Sequence, residues 1–214
     1  MEPDRKGPGV LVSAVIPAYN ESGPIARVIA EAAPLVDEII VVDDGSTDGT
    51  AEVAHQGGAR VVRHNHGGYL KAIRAGFAAA AGDLIVTLDA DGEHDPRDIP
   101  RLLAPLLEDR ADLVLGRRPR IDRPSERLIS WLVRRRLPVS DSGSGFRALR
   151  RNLAQRLTFP GQCICGASVL EAHALGARIS EVPISLRATA KPRTMAWGHL
   201  HQLLVVLRLL SRGR

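Results

Sequence analysis

The sequence has no apolar run long enough to cross a bilayer. A membrane-spanning helix needs about 20 consecutive apolar residues, whereas the C-terminal run from Leu203 to Leu207 ends at Arg208. The first nine residues are charged and rich in proline and glycine, and they lack the apolar centre of a signal peptide. We therefore expect a cytoplasmic protein with a flexible leader at residues 1–9.

Cysteine, aromatic residues and one glycine motif are also scarce or missing. Cys163 and Cys165 are separated by one residue, which suits neither a disulfide nor, without a second Cys/His cluster, a zinc site. Aromatic residues make up 3% of the chain, so platforms for stacking nucleic-acid bases are few. The segment after the first apolar run is PAYNES, not the G-x-G-x-x-G of nicotinamide-dependent dehydrogenases. We therefore expect ordinary thiols, no nucleic-acid partner and no dehydrogenase.

Short apolar runs alternate with helix-like segments in the first half of the chain. The runs span 10–17, 38–44, 59–64, 83–91 and 112–117. Their near-continuous Val, Ile and Leu content is typical of strands that are covered on both faces, as in a parallel sheet. The sequence therefore predicts an α/β fold with a mostly parallel open sheet flanked by helices, which binds ligands beyond the carboxyl ends of its strands.

The later part of the chain has a different pattern and most of the basic charge. The formal net charge is +5, and residues 117–136 contain eight arginines against Asp122 and Glu126. Such a cluster suits phosphate groups or an anionic surface, although a solvated basic helix is the alternative. After it we expect a Gly/Ser turn at 141–146, a helix near 166–176, a strand near 178–186 and a last helix from about residue 197.

Acidic residues follow three of the predicted strands. PAYNES follows the first strand, DDGSTDGT the second and DADGEHDP the fourth. In a parallel sheet these ends lie at one edge, so the three loops should meet. Asp43 and Asp44 can accept hydrogen bonds from ribose hydroxyls or a base N–H, or they can do no more than cap the next helix.

The third of these loops contains a cluster of carboxylates. Asp89, Asp91 and Glu93 lie within five residues, directly after an apolar run. Clustered carboxylates repel one another unless a cation joins them, and oxygen ligands on a loop suit Mg²⁺ or Mn²⁺. The sequence therefore predicts a divalent metal site, in which one aspartate of the pair can hold ribose while the other holds the metal.

Six short motifs occur along the chain in a fixed order. They are PAYNE (17–21), VVDDGSTDGT (41–50), DADGEHDP (89–96), GRR (116–118), DSGSGFRALRR (141–151) and EVPISLR (181–187). Together they resemble glycosyltransferase family 2, and more closely its dolichol- and polyprenyl-phosphate sugar synthases. The resemblance implies the GT-A fold and a metal-dependent, inverting transfer of a hexosyl or N-acetylhexosaminyl group. The implied donor is a UDP- or GDP-sugar and the implied acceptor a polyprenyl phosphate, with a soluble hydroxyl acceptor as the alternative.

The resemblance also implies roles for individual residues. Those implied to bind the nucleotide sugar are Pro17, Ala18, Tyr19, Asn20, Glu21, Val42, Asp43, Asp44, Asp89, Ala90 and Asp91. Arg117 is implied to meet phosphate, and Asp141 to lie where donor and acceptor meet. The basic residue that closes over the diphosphate is left open between Arg187, Lys191 and Arg193. By this resemblance, residues 10–214 form one domain, with a nucleotide-sugar half (10–117) and an acceptor half (118–214).

The class of acceptor determines what is expected of Asp141. A hydroxyl acceptor must lose a proton during attack, and Asp141 is the candidate general base. A phosphate acceptor is already anionic, so Asp141 would only orient it, and the arginine cluster would bind its phosphate.

The C-terminal segment has an amphipathic pattern. Leucines recur at helical spacing at positions 200, 203, 204, 207 and 210, and Arg208, Arg212 and Arg214 lie nearby. Such a stripe favours either packing onto the domain's own core or peripheral attachment to the inner face of the membrane. Both interpretations stay open from the sequence.

Overall fold

The structure, a computed structural model, describes residues 9–188 and 198–212. Within these ranges a single sheet of seven strands has the order β3-β2-β1-β4-β6-β5-β7. The strands are β1 (Val12–Ala18), β2 (Glu38–Asp43), β3 (Arg60–Arg63), β4 (Leu84–Thr87), β5 (Leu113–Arg117), β6 (Arg147–Arg150) and β7 (Ile179–Pro183). The α-helices are α1 (Ile25–Ala32), α2 (Thr50–Gln56), α3 (Tyr69–Ala79), α4 (Ile99–Leu107), α5 (Pro124–Arg134), α6 (Arg151–Ala154), α7 (Ala167–Ala174) and α8 (Gly198–Arg212).

Most of the strand pairs are parallel. β1 lies between β2 and β4, β3 pairs with β2, and β7 pairs with β5, all in parallel. Each of the five predicted apolar runs overlaps a strand, and the strand near 178–186 is also present. The prediction of a mostly parallel sheet is therefore confirmed, and the loops after β1, β2 and β4 lie at one edge of it.

One strand was not predicted. β6 follows the expected Gly/Ser turn directly and pairs antiparallel with both β4 and β5. Its first and last residues are Arg147 and Arg150, so it lacks the continuous apolar run that marks the other strands. Arg150 donates to Asp109 at 2.6 Å and to Asp112 at 3.1 Å. Long-range partners, not local apolar pattern, therefore hold β6 in the sheet.

The sheet is buried on both faces because its side chains alternate between two apolar clusters. Val15, Ile40 and Val42 belong to the cluster that also contains residues of α3, α5, α7 and α8. Ile16 and Val41 belong to the other cluster, which contains residues of α1 and α4. This period-2 alternation is what a strand backbone dictates. None of the described helices is both long and apolar enough to cross a bilayer.

Candidate active site

The loops at the carboxyl edge of the sheet surround a cavity of about 330 Å³, which we call cavity I. Its lining residues come from the ends of β1, β2 and β4 and from the start of α3. They are Pro17, Ala18, Tyr19, Glu21, Asp44, Tyr69, Ala72, Asp89, Ala90 and Asp91. All but Tyr69 and Ala72 are residues that the sequence predicts to bind the nucleotide sugar.

Asn20 joins two of the loops that border cavity I. Its backbone N–H donates to Ser46 Oγ at 2.9 Å, and its side-chain oxygen accepts from the N–H of Thr47 at 2.9 Å. The next residue, Glu21, donates its N–H to Thr50 Oγ1 at 2.8 Å. Asn20 has a φ of 54°, a left-handed conformation that Asn tolerates better than most residues. Asn20 does not line cavity I, and its hydrogen bonds connect the loop after β1 to the loop after β2.

Asp44 has a structural position as well as a place in the cavity wall. Its carboxylate accepts from the N–H groups of Gly67 at 2.6 Å and Gly68 at 2.7 Å, just before α3 begins. Asp43 accepts from the N–H of Ser46 at 3.1 Å and therefore stabilises its own turn. The two interpretations left open by the sequence thus apply to different degrees: Asp43 caps a turn, whereas Asp44 both orders a loop and faces cavity I.

Asp89 lies at the centre of the site. Tyr69 Oη is 3.4 Å from one carboxylate oxygen of Asp89, and the backbone N–H of Asp89 donates to Nδ1 of His94 at 3.2 Å. His94 is buried and stacks on Phe146 with ring centroids 5.0 Å apart. Burial raises the pKa of the Asp89 carboxyl, His94 opposes this shift, and the charge of Asp91 adds to it. The net result is a pKa above the ordinary value of 3.8.

The predicted metal ligands lie close together in sequence but do not form a complete ligand set. Asp91 accepts from the N–H of Glu93 at 2.9 Å. Among the described residues, no group of three or more His, Cys, Asp or Glu side chains is placed to hold a metal ion. The donor chemistry still fits Mg²⁺ or Mn²⁺, since these ions usually bind through one or two carboxylates plus substrate phosphates. Ligation by Asp89, Asp91 and Glu93 stays a prediction.

A second cavity of about 210 Å³, cavity II, adjoins the first. The two share Tyr69, Asp89 and Asp91. The other lining residues of cavity II are Glu93, His94, Arg118, Arg123, Glu126, Gly143, Gly145, Cys163, Ile164 and Cys165. The shared residues form a common wall, so groups bound in the two cavities would meet at Asp89 and Asp91.

Arg118 is the cation most firmly built into cavity II. Its side chain is 9% exposed and lies between two carboxylates. Nε is 2.7 Å from Asp141 Oδ2, and Nη2 is 2.9 Å from both Asp141 Oδ1 and Glu126 Oε2. Glu126 comes from the buried face of α5, so this helix helps to fix the guanidinium in the cavity wall.

Asp141 is almost completely buried and its carboxylate is fully used. Oδ2 accepts from the backbone N–H of Arg118 at 3.1 Å and from its Nε, while Oδ1 accepts from Nη2 and from the N–H of Gly143 at 3.1 Å. A carboxylate has about four acceptor positions. Burial raises the pKa of Asp141, but the hydrogen bonds and charge of Arg118 outweigh burial and hold this pKa below 3.8. Asp141 is therefore ionised and occupied.

Several predicted residues lie outside both cavities. Val42 is buried in the core, where it packs near Gly76 of α3, and Arg117 is exposed at the end of β5. Arg187 donates to Glu31 at 2.6 Å and to Asp95 at 2.8 Å, and it does not line either cavity. Lys191 and Arg193 fall outside the described residues.

Arg117 lines neither cavity, and its contact with phosphate stays a prediction. Arg117 belongs to β5 and is in register with Pro183 of β7. Successive residues of a strand point to opposite sides, and the next residue, Arg118, enters cavity II. Of the two arginines in the GRR motif, Arg118 is the one that lines cavity II, where Asp141 binds it.

Two residues that the sequence did not indicate hold the walls of cavity II. Arg147 is buried and donates to the carbonyls of Ser142 and Ser144 and to Ser168 Oγ. Gln202 of α8 is fully buried; its side-chain oxygen accepts from the N–H of Cys163 at 3.3 Å, and its nitrogen donates to the carbonyl of Cys165 at 2.9 Å. No local motif marks Gln202, since its partners are about 40 residues away in the chain.

Comparison with known proteins identifies the family. The model described as "Glycosyl transferase family 2" matches residues 13–166. An uncharacterized glycosyltransferase of Mycobacterium tuberculosis is 33% identical over 216 residues, which cover 93% of this chain and 95% of that protein. An undecaprenyl-phosphate 4-deoxy-4-formamido-L-arabinose transferase of Edwardsiella ictaluri is 34% identical over 199 residues. That match covers 81% of this chain but only 59% of the transferase.

The solved structures give the same result. A glucosyl-3-phosphoglycerate synthase from Mycobacterium tuberculosis, in complex with Mn²⁺, UDP-glucose and phosphoglyceric acid, superposes with a TM-score of 0.81 at 28% identity. The superposition covers 95% of this chain and 80% of that chain. The predicted GT-A fold is thereby confirmed, and the match over residues 13–166 shows that this chain belongs to glycosyltransferase family 2.

Proposed function

We propose that this protein is an inverting glycosyltransferase that moves a hexosyl or N-acetylhexosaminyl group from a UDP- or GDP-sugar to a polyprenyl phosphate at the inner face of the membrane. The observation that carries the proposal is the pair of adjoining cavities with a common wall of Tyr69, Asp89 and Asp91. A donor in one cavity and an acceptor in the other would bring their reacting atoms together at this wall.

Cavity I suits the nucleotide sugar. Eight of its lining residues belong to the motifs at the ends of β1, β2 and β4, and ligands of open α/β sheets bind at this edge. Asp44 offers a carboxylate to hydroxyls or a base N–H, although two of its acceptor positions are used by Gly67 and Gly68. The complex of the glucosyl-3-phosphoglycerate synthase with UDP-glucose supports a donor of this class.

The reaction needs one bond to form and one to break. An acceptor phosphate oxygen attacks the anomeric carbon from the face opposite the diphosphate, and the bond to the diphosphate oxygen breaks. The nucleoside diphosphate leaves, and the sugar becomes bonded to the lipid phosphate with inverted configuration. Asp91 with Asp89 or Glu93 would hold a divalent cation, which when bound neutralises the charge that develops on the leaving diphosphate.

The state of Asp141 favours a phosphate acceptor over a hydroxyl. Its two oxygens already accept four hydrogen bonds from Arg118 and Gly143. A hydroxyl acceptor needs a base with a free lone pair, whereas an ionised phosphate brings its own negative charge and needs none. The role that fits Asp141 is to hold Arg118 in the wall of cavity II.

The charge of cavity II sets a condition on this acceptor. Two arginines line the cavity, against four acidic side chains: Asp89, Asp91, Glu93 and Glu126. A phosphate therefore needs positive charge beyond Arg118 and Arg123. The bound cation would supply it, as would Lys191 or Arg193, which lie outside the described residues. We expect acceptor binding to be weak without a divalent metal.

A second candidate keeps the donor chemistry but uses a soluble hydroxyl acceptor. It is favoured by the similarity to the synthase whose complexes contain phosphoglyceric acid. Asp89 is then the alternative base, because it borders both cavities and its pKa is raised, first by burial.

An acceptor panel separates the two candidates. The protein, with Mn²⁺ and a set of UDP- and GDP-sugars, is supplied with farnesyl phosphate in detergent, with farnesol, or with 3-phosphoglycerate. Released nucleoside diphosphate and the mass of the product are measured. We expect transfer to farnesyl phosphate alone. Transfer to 3-phosphoglycerate without transfer to farnesyl phosphate would favour the soluble acceptor and overturn the lipid assignment.

Asp91→Asn tests the metal site with a matched control. A ligand at 100 times its Kd adds about 2.7 kcal/mol of stability, or roughly 5 to 11 °C in Tm for a chain of this size. We expect Mn²⁺ to enhance the Tm shift caused by a nucleoside diphosphate in the wild type but not in Asp91→Asn. Asp83→Asn, at the opposite end of β4, should respond as the wild type does, because the Asp83 carboxylate accepts from the N–H of Leu11 and lines neither cavity. Equal Mn²⁺ enhancement in Asp91→Asn would remove Asp91 from the metal site.

A further inference from the structure

Most of the large apolar side chains that the described residues leave exposed lie on two neighbouring helices. Leu128 and Trp131 on α5 are 45% and 53% exposed, and Leu204 and Leu207 on α8 are 54% and 45% exposed. Only Leu11 and Tyr19, elsewhere in the described ranges, are comparable. We call the exposed sides of these two helices the α5–α8 face.

The two helices pack on each other through their other sides. Ile129, Val133 and Val206 converge around Gly166, and Arg136 donates to the carbonyl of Leu210 at 3.0 Å. Ile129, Val133 and Val206 are buried in one apolar cluster. The leucine stripe of α8 is therefore divided: Leu203 and Leu210 are partly buried and pack against this cluster, while Leu204 and Leu207 are exposed. Packing onto the domain's own core is thus observed for part of the stripe, and membrane attachment stays a prediction.

The exposed charged side chains on the two helices themselves are all basic. Arg127, Arg134 and Arg135 are exposed on or beside α5, and Arg208 is exposed on α8. The guanidinium carbon of Arg135 lies 5.2 Å from the ring centre of Trp131. α8 contains no acidic residue, and the one acid of α5, Glu126, is buried against Arg118. An apolar stripe bordered by arginines is complementary to lipid tails and anionic headgroups, whereas a protein partner would need acidic groups around an apolar patch.

The inner sides of the same helices build the wall of cavity II. Glu126 and Ser130 of α5 contact Arg118 and Ser142, and Gln202 of α8 binds the backbone of Cys163 and Cys165. A helix with its side chains is about 10 to 12 Å across. Cavity II therefore lies about one helix diameter beneath the α5–α8 face.

We propose that the α5–α8 face docks onto an anionic membrane surface and thereby brings cavity II to the headgroup level of the bilayer. Docking itself follows from the exposed leucines, Trp131 and the arginines. The delivery of a lipid acceptor rests on the proposed function. The two parts fail separately, because vesicle binding requires no sugar transfer.

The binding experiment uses the full chain and vesicles of phosphatidylcholine with or without phosphatidylglycerol, at low and high salt. The face variant carries Leu128→Ser, Trp131→Ser, Leu204→Ser and Leu207→Ser, and the control carries Leu11→Ser. We expect the wild type and the control to co-sediment with anionic vesicles at low salt, and the face variant to bind at least about tenfold more weakly. Arg134→Ser with Arg135→Ser should lower binding and its salt dependence, whereas Arg60→Ser on the opposite edge of the sheet should not.

A second readout places Trp131 itself at the membrane. In a Trp197→Phe background Trp131 is the only tryptophan, and its emission should shift to the blue when anionic vesicles are added. Size-exclusion chromatography with light scattering checks the main alternative occupant. A dimer that the face variant dissociates, together with no vesicle binding, would assign the face to a second copy of the chain and overturn the proposal.

The transfer assay separates this inference from the proposed function. With farnesyl phosphate in detergent micelles, the folded face variant should match the wild type, while transfer to long-chain polyprenyl phosphate in anionic vesicles should fall about tenfold with the lost binding. Vesicle binding by a wild type that transfers nothing to any prenyl phosphate would support docking and refute the lipid acceptor. A face variant that binds vesicles as the wild type does would overturn docking, whatever its activity.

Discussion

Asp141→Asn should test both the stability and the chemistry of cavity II. In the folded protein the side chains of Arg118 and Asp141 are 9% and 1% exposed. The substitution removes the negative charge and replaces one carboxylate oxygen by an NH₂ group. Because an NH₂ group cannot accept hydrogen bonds, some N–H donors of Arg118 or Gly143 lose their acceptor. Arg118 keeps one carboxylate, Glu126, at 2.9 Å.

These contacts set the expected size of the effect. Removing one partner of a buried ion pair costs about 3 to 5 kcal/mol, because the other charge stays buried. Since Glu126 still neutralises Arg118, we expect the lower end, about 3 kcal/mol, which corresponds to a Tm lower by roughly 6 to 12 °C for a chain of this size. Glu108→Gln is the matched control, because Glu108 pairs with Arg110 where both side chains are more than half exposed. It should leave Tm nearly unchanged.

The assay combines thermal unfolding with kinetics at a temperature where the variant is folded. If Asp141 only positions Arg118, Asp141→Asn should raise KM for the acceptor phosphate and leave the pH dependence of kcat as it is. A general base would instead cost about 10² to 10⁴ in kcat and remove a limb of the pH profile. A Tm within 2 °C of the wild type, or a double-mutant cycle with Arg118→Met that shows about 0.5 kcal/mol of coupling or less, would refute the buried network.

Two further predictions concern other parts of the fold. Gln202→Leu leaves the N–H of Cys163 and the carbonyl of Cys165 without their side-chain partner, which should lower the free energy of unfolding by about 1 to 3 kcal/mol for each group. Tm should therefore fall and the KM for the acceptor should rise. The Kd of the nucleoside diphosphate should stay within about twofold of the wild-type value. Hydrogen bonds from Arg178 are the main cause of the lowered pKa of Asp112, which falls from 3.8 to about 2 on folding. Between these two values the unfolded chain binds more protons than the folded chain. The contribution of Asp112 to the free energy of unfolding is therefore present above about pH 4 and is lost as pH falls from about 4 to 2. Urea unfolding of the wild type and Asp112→Asn across this range should converge toward pH 2, and a gap that stays constant would contradict the assignment.

The apolar runs predicted the sheet edge for a physical reason, whereas most of the lining residues of cavity I were implied by the resemblance to glycosyltransferase family 2. β1, β2 and β4 are buried on both faces, so each must be a continuous apolar run, and parallel pairing then forces their polar ends to one edge. A residue directly after such a run, such as Asp44 or Asp89, can therefore be placed without knowledge of the rest of the chain. Tyr69 and Ala72 are the two lining residues that come from a helix, α3. The orientation of this helix is set by tertiary packing, so these two residues could not be placed from the apolar runs.

Cavity II could not be predicted in the same way, because its walls are made by contacts distant in sequence. Arg118 and Asp141 are 23 residues apart, and Gln202 binds backbone groups 37 and 39 residues away. Arg187, one of the three candidates for closing over the diphosphate, donates to Glu31, 156 residues earlier in the chain. Local motifs indicated segments that border the cavity, but they did not show that Arg118, and not Arg117, lines it.

The two cavities therefore depend on different parts of the structure. Cavity I is formed by strand ends and tight loops, so its shape follows from the sheet. Cavity II depends on the packing of α5 and α8, because Glu126 of α5 binds Arg118 and Gln202 of α8 accepts a hydrogen bond from the N–H of Cys163. The outer sides of the same helices expose Leu128, Trp131 and two leucines of α8, which line neither cavity. Substitutions of the inner residues Glu126 and Gln202, unlike those of the exposed side chains, should accordingly change acceptor binding while nucleotide binding is preserved. A variant at either position that weakened both equally would show that the two cavities are coupled.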